Sequence, residues 1–173
     1  MTAQDFGTEA GRRMVEQLRL AHRPLRSDIA QLDVAIGMLE QAALAAEPVR
    51  EIVAGLTVGQ FAWQIKTRCE YFCDHLSLHH GIEDARMLPV MQRQFPQLRS
   101  VITRLKDEHE QVSVLILEIS TAARDLRSDD ADSVSRLRGY LEVLATLLAG
   151  HLDYEEASLF PYFERMTRDW HRG

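Results

Sequence analysis

Two stretches of the sequence place a glutamate four residues after a histidine, a spacing that suits metal binding. The pairs are His79 with Glu83 and His151 with Glu155. On a helix, side chains four positions apart project from the same face on successive turns. Imidazole nitrogens and carboxylate oxygens are both common ligands of first-row transition metals. Each pair therefore has the chemistry and the spacing of half a metal site.

Two isolated histidines, His22 and His109, belong to the same pattern. Both stand in runs whose apolar residues recur every three or four positions, where Leu or Ile would otherwise be expected. At a rise of about 1.5 Å per residue from the predicted turns, both reach the height of the His–Glu pairs. Buried ionisable groups without partners cost several kcal/mol each. We therefore expect all six side chains to meet in one layer and to bind metal there.

The donor count indicates which metal this layer suits. Four imidazoles and two carboxylates exceed the ligands of one tetrahedral zinc ion. They are richer in nitrogen than the oxygen sites that magnesium and calcium prefer. They suit two first-row ions, each bound by two imidazoles and sharing two bridging carboxylates. Iron is favoured, with manganese and zinc as alternatives.

The rest of the sequence predicts four long helices that carry these ligands. Segments rich in Leu, Ala, Glu, Arg and Gln are good helix formers, and three breaks separate them: Pro48 to Gly59, Pro89 to Pro96, and residues 127–130. Strand-like alternation and hairpin dipeptides are missing. Short connections make consecutive helices antiparallel. We predict an all-α, up-down four-helix bundle, a single domain over residues 1–173 with its core at about 15–166.

Composition excludes several classes of function. The 173 residues carry a net charge of −6 without a basic run, which argues against nucleic acid as a partner. The sequence contains neither an apolar run long enough for a membrane helix nor a signal-peptide pattern near Met1. We expect a cytoplasmic protein, a monomer or weak dimer, whose Cys69 and Cys73 are free thiols.

Two segments make the chain similar to the hemerythrin-like, His-His-Glu cation-binding family. They are HHGIEDARMLP at residues 79–89 and HLDYEEASLFP at residues 151–161, and they share the pattern H-x-x-x-E-[DE]-x-x-[LM]-[LF]-P. His22 and His109 resemble the isolated histidines of that family. The resemblance implies a non-haem di-iron centre with a bridging oxo, hydroxo or water. It also implies that Glu83 and Glu155 bridge the two irons.

In the same resemblance, His22, His79, His109 and His151 are the terminal ligands. The oxygen-carrying members have a second histidine four residues after the one that matches His109, and here that position is Ser113. Their spacing on the last helix would also select Glu156, whereas the periodicity here favours Glu155.

The family implies binding of, or reaction with, oxygen, peroxide or nitric oxide, in oxidative or nitrosative stress or in iron handling. Whether the protein is an enzyme that disproportionates peroxide stays open. The alternatives are a regulatory or interaction module stabilised by metal, and an oxygenase acting on an organic substrate.

Residues beside the six candidates have less specific interpretations. His80 is expected to support the site or to contact a neighbouring helix, and His75 to support the site or to flank the core. Whether either histidine is an additional ligand stays open. Asp84 and Glu156 are interpreted as part of a solvated helix face, with orientation of a ligand imidazole as the alternative. Cys69 is expected to behave as a small buried apolar residue.

Overall fold

A computed structural model describes residues 7–44, 58–127 and 130–167 of the chain. Its long helices are α1 (Glu9–Leu44), α2 (Val58–Ile82), α4 (Arg99–Asp125) and α5 (Ala131–Phe163). Between α2 and α4 lie a π-helical turn (Glu83–Met87), the short helix α3 (Leu88–Gln94) and a 3-10 turn (Pro96–Leu98). The described residues contain no strand. The prediction of an all-α up-down bundle is confirmed.

Each long helix packs mainly against two neighbours. Helix α1 contacts α2 and α5, and α4 contacts the same two helices from the opposite side. The helices therefore form a ring in the order α1, α2, α4, α5. Helix α2 faces α1 along one side and α4 along the other, which is important for the site below.

The apolar interior consists of two clusters separated by a layer of polar side chains. The larger cluster includes Leu25, Leu76, Val112 and Leu148. The smaller cluster includes Met14, Met87, Leu105 and Phe163. Buried histidines and glutamates occupy the sequence positions between these two sets of residues on every long helix. Burial of apolar surface in both clusters stabilises the bundle and fixes the height of the layer.

The predicted break at Pro89 is wrong, because the helical path continues past this residue to Gln94. A proline lacks the N–H that an α-helix needs and clashes with the carbonyl four residues earlier. The π-helical turn that precedes Pro89 widens the backbone, and the N–H of Leu88 bonds to the carbonyl of Glu83 across it. The chain leaves the helix only at Phe95, before Pro96, where α-helical geometry is disfavoured.

The structure describes the other two predicted breaks only in part. Most of the first, from Pro48 to Gly59, lies outside the described residues, although Gly59 itself is in α2. Of the third, residues 128 and 129 lie outside the described residues, while Arg127 follows α4 and Asp130 caps α5 by accepting hydrogen bonds from the N–H groups of Asp132 and Ser133. Within the described ranges, every helix is too short or too polar to cross a membrane.

Candidate metal centre

The structure brings together all six residues predicted as metal ligands, and it adds a seventh. Each is nearly inaccessible to solvent, from Glu155 at 0% exposed to His79 at 9%. We call these residues the polar layer: His22, His79, His80, Glu83, His109, His151 and Glu155. His80, for which the sequence left open whether it is an additional ligand, is 4% exposed and lies inside the layer.

The polar layer divides into two groups of ligand atoms that share Glu83. One group is His22, His79, Glu83 and Glu155, and the other is His80, Glu83, His109 and His151. Within each group, one nitrogen or oxygen from each residue lies within 4.8 Å of all the others, close enough to surround one ion. The layer therefore has the donors for two adjacent metal positions.

Glu83 faces both groups through its two carboxylate oxygens. Its Oε1 lies 3.1 Å from Nε2 of His79 and 4.0 Å from Nε2 of His22. Its Oε2 lies 3.5 Å from Nε2 of His109. Across the layer, Nε2 of His22 is 3.3 Å from Oε2 of Glu155, and the Nε2 atoms of His109 and His151 are 3.2 Å apart. Glu83 therefore offers one carboxylate oxygen to each group of ligand atoms.

Most of the inward-facing atoms lack hydrogen-bond partners. They include Nε2 of His22, His79 and His80, and both carboxylate oxygens of Glu83 and of Glu155. Each buried polar atom left in this way costs about 1–3 kcal/mol. Cations bound among these nitrogens and oxygens would satisfy all of them at once, so the donor set fits a pair of metal ions.

Three of the imidazoles of the polar layer contact a carboxylate through their Nδ1 atoms. Nδ1 of His22 lies 2.8 Å from Glu156, Nδ1 of His109 lies 3.0 Å from Asp84, and Nδ1 of His151 lies 2.9 Å from Glu108. A neutral imidazole that donates its Nδ1–H in this way presents the Nε2 lone pair to a metal. The carboxylates thus fix the direction of each ring, and in its neutral form each ring would present Nε2 to a metal.

This finding corrects the interpretation of Asp84 and Glu156 as parts of a solvated face, because both contact ligand imidazoles. Glu108 escaped the sequence reasoning altogether. Its one signal is position, since it directly precedes His109, just as Asp84 and Glu156 directly follow the two layer glutamates.

The charges in the layer are strongly coupled. Burial alone would lower the pKa of His22, but the carboxylates of Glu155 and Glu83 raise it to about 10. Burial and the charge of Glu155 raise the pKa of Glu83 to about 8. Burial and the positive charge of His22 lower the pKa of His79 to about 3. At neutral pH and without metal, His79 is therefore neutral, which is the form of imidazole that binds a metal, whereas His22 is protonated and would release its proton when a metal binds.

A comparison with protein families agrees with this geometry. The family described as the hemerythrin HHE cation binding domain matches residues 13–163. The chain belongs to this family. Comparison with curated proteins and with solved structures gave no match. As a hemerythrin HHE domain the protein binds a metal cation, and the polar layer is the candidate site.

A cavity lies beside the polar layer of this hemerythrin domain. The cavity has a volume of about 300 Å³, and His79 and Glu83 are part of its lining. The rest of its lining is mostly apolar: Met14, Gln17, Leu18, Ala21, Ile82, Met87 and Phe163. The cavity therefore gives a small molecule a route to the first group of ligands.

Other candidates lie outside the polar layer. Ser113 is exposed, and its hydroxyl donates to the carbonyl of His109 at 2.9 Å, so this position of α4 contributes no ligand. His75 is half-buried beside Tyr71 and belongs to neither group of ligands. Cys69 and Cys73 are free and buried in the larger apolar cluster, as expected for Cys69.

Proposed function

We propose that the protein is a non-haem di-iron hemerythrin-like protein that binds or reacts with oxygen, peroxide or nitric oxide. We place its role in the response to oxidative or nitrosative stress or in iron handling. The observation that carries the proposal is the position of Glu83, whose two oxygens face two separate groups of buried ligand atoms. A single buried carboxylate between two sets of imidazoles has no evident use other than to join two cations.

In this proposal His22 and His79 hold one iron and His109 and His151 hold the other. Glu83 lies between the two positions and Glu155 lies at the one that contains His22 and His79, and together they contribute two negative charges. When bound, a pair of ferrous ions supplies the electrons for binding or reducing a small ligand. The mixed nitrogen and oxygen donors favour iron, with manganese and zinc as competitors.

The surroundings of the layer support a small ligand. Buried side chains next to the layer exclude bulk water: Leu76, Val112, Leu148 and Leu152. The cavity beside His79 is at the lower end of the volumes of pockets that hold organic ligands. Its apolar walls favour a small neutral molecule over a charged or strongly hydrated one.

The test is anaerobic loading with ferrous iron, followed by metal analysis and spectroscopy. We expect two irons per chain and a near-ultraviolet and visible spectrum that changes with oxygen, peroxide or nitric oxide. The Glu83→Gln variant should lose iron, whereas Glu110→Gln, a change at an exposed position of α4, should retain it.

Either of two results would contradict the proposal. One is a chain that takes up no iron, and the other is an iron-loaded chain whose spectrum responds to none of the three ligands. In the second case, a bundle that unfolds when the metal is removed would favour the regulatory module instead.

A further inference from the structure

We propose that His80 is itself a metal ligand, the third imidazole of the position that contains His109 and His151. This inference rests on the proposed dinuclear site and assigns to it a residue that the repeated His–Glu motif does not include. It makes the two metal positions chemically different. One has three imidazoles and Glu83, and the other has two imidazoles with Glu83 and Glu155.

Burial and an unused nitrogen support the assignment. His80 is 4% exposed, and its Nε2 has no hydrogen-bond partner. Its ring lies flat against that of His109, with centroids 4.0 Å apart, and at 5.2 Å from the ring of His151. His75 also has a buried nitrogen without a partner, but only His80 has a ligand atom within 4.8 Å of those of Glu83, His109 and His151.

The ring order of the helices explains how adjacent histidines serve different ions. Neighbouring residues on a helix project about 100° apart, and α2 packs between α1 and α4. His79 therefore meets His22 of α1, with ring centroids 5.1 Å apart. His80 meets His109 of α4. Glu83, on the next turn of the same face, lies between both.

Helix α4 does not provide a second imidazole for this metal position. The position four residues after His109 is Ser113, which is exposed and hydrogen-bonded to its own helix. Helix α4 thus contributes one imidazole to the layer, that of His109, and α5 also contributes one, that of His151. The nitrogen that α4 lacks is available from α2, at a position one residue from an established part of the motif.

The test compares His80→Leu with His75→Leu, a matched change on α2 outside both groups of ligands. Metal-free protein is titrated with Co²⁺, and the bound equivalents and their affinities are measured by absorption and by metal analysis. For His80→Leu we expect one of two equivalents to bind at least about tenfold more weakly and the other to be unchanged. His75→Leu should bind both as the parent chain does.

Thermal unfolding of the metal-free variants separates ligation from packing. Because Nε2 of His80 has no partner, metal-free His80→Leu should unfold at the same or a higher temperature than the parent, and only the metal-dependent increase should shrink. If His80→Leu fails to fold, His80→Gln, which keeps a polar side chain, is measured in the same way.

Three results would overturn the assignment: unchanged affinity for both equivalents, an equal loss of both, or a lower unfolding temperature of the metal-free variant without any change in metal binding. If the parent chain binds no Co²⁺ or Fe²⁺ at all, the dinuclear site itself is refuted. That outcome is distinct from a failure of His80 alone.

Discussion

The carboxylates behind the ligand histidines are partly exposed, yet they face the interior rather than solvent. Glu108 contacts His151 and also accepts a hydrogen bond from Arg104 at 2.7 Å. Glu156 contacts His22 and lies 3.5 Å from Arg26. Each carboxylate is thereby fixed from two sides, so the imidazole that it holds has little freedom to rotate. Such preorganisation lowers the cost of metal binding.

Loss of one of these carboxylates should weaken metal binding while the bundle stays folded. We expect Glu108→Gln to lower the affinity for metal about 10- to 100-fold, because the Nδ1 of His151 loses its charged acceptor. A competition titration against a chromophoric chelator measures the effect. The exposed Glu110 on the same helix provides the control, since Glu110→Gln should bind metal normally. Equal affinities for the two variants would mean that Glu108 does not orient a ligand.

The two cysteines should be unreactive in the folded protein. Burial raises the pKa of Cys69 to about 12 and also raises the pKa of Cys73. Three pKa units correspond to an about thousandfold smaller fraction of thiolate, which is the reactive form. We expect reaction with Ellman's reagent at about pH 8 to be very slow in the native protein and complete in denaturant.

The raised pKa of the buried thiols also makes the stability of the folded protein depend on pH. The pKa of the folded state lies above the ordinary value of 9.0, so the buried thiols favour folding fully below about pH 9. This contribution is lost as the pH rises toward 12. Rapid labelling of native protein near pH 8 would show that the larger apolar cluster opens readily.

At the scale of the helices, α1 and the end of α5 approach each other closely at Gly11. A Cβ atom at this position would collide with the carbonyl oxygen of Phe163 and lie 2.7 Å from Cα of Glu164. The same contact is strengthened by Thr8, whose N–H donates to the carbonyl of Glu164 at 2.8 Å. Only glycine allows the two backbones to pack at this distance.

Replacement of this glycine should therefore destabilise the bundle. We expect Gly11→Ala to reduce the free energy of unfolding by about 1–3 kcal/mol, because the helix ends must move apart. Gly37→Ala, in the same helix with nothing within 4 Å of the added Cβ, should instead stabilise by about 0.5–1 kcal/mol. Urea denaturation compares the two variants, and a stabilised Gly11→Ala protein would contradict the proposed close approach.

The fold was predictable because the apolar periodicity of each helix is nearly complete. Spacings of three and four residues identify the buried face, and a His or Glu within that face stands out. Pro89 was misread because proline usually ends a helix, whereas here a π-helical turn accommodates it. Met87 and Leu88 beside that turn are buried, and the local sequence pattern does not indicate a π-helical turn there.

The site was less predictable than the fold. For His80 a supporting role was preferred to ligation because it projects away from His79, and a single apolar stripe was assumed for α2. In the structure α2 touches two other helices with ligands, so it has two inward directions. The outer carboxylates were equally hidden, because Asp84 and Glu108 differ from solvated surface acids only in the rotation of their helices.

At the scale of the whole molecule, the polar layer destabilises the folded chain unless a metal ion is bound to it. It separates two apolar clusters, and it holds two carboxylates without hydrogen-bond partners. Metal binds the folded layer and not the unfolded chain, in which the ligands are far apart. Binding therefore adds directly to the free energy of unfolding, by about 2.7 kcal/mol when free metal is at about 100 times its Kd.

This linkage predicts a large effect of metal on thermal stability. For a chain of this size about 1 kcal/mol corresponds to about 2–4 °C, so metal at that excess should raise the Tm by about 5–10 °C, and a chelator should reverse the increase.

Glu83→Ala removes the carboxylate shared by both positions, so its Tm should hardly respond to metal. Differential scanning calorimetry of both proteins, each with metal and with chelator, measures all four values. A parent Tm that is indifferent to metal, or a metal-dependent increase that survives in Glu83→Ala, would show that the polar layer is not where the cation binds.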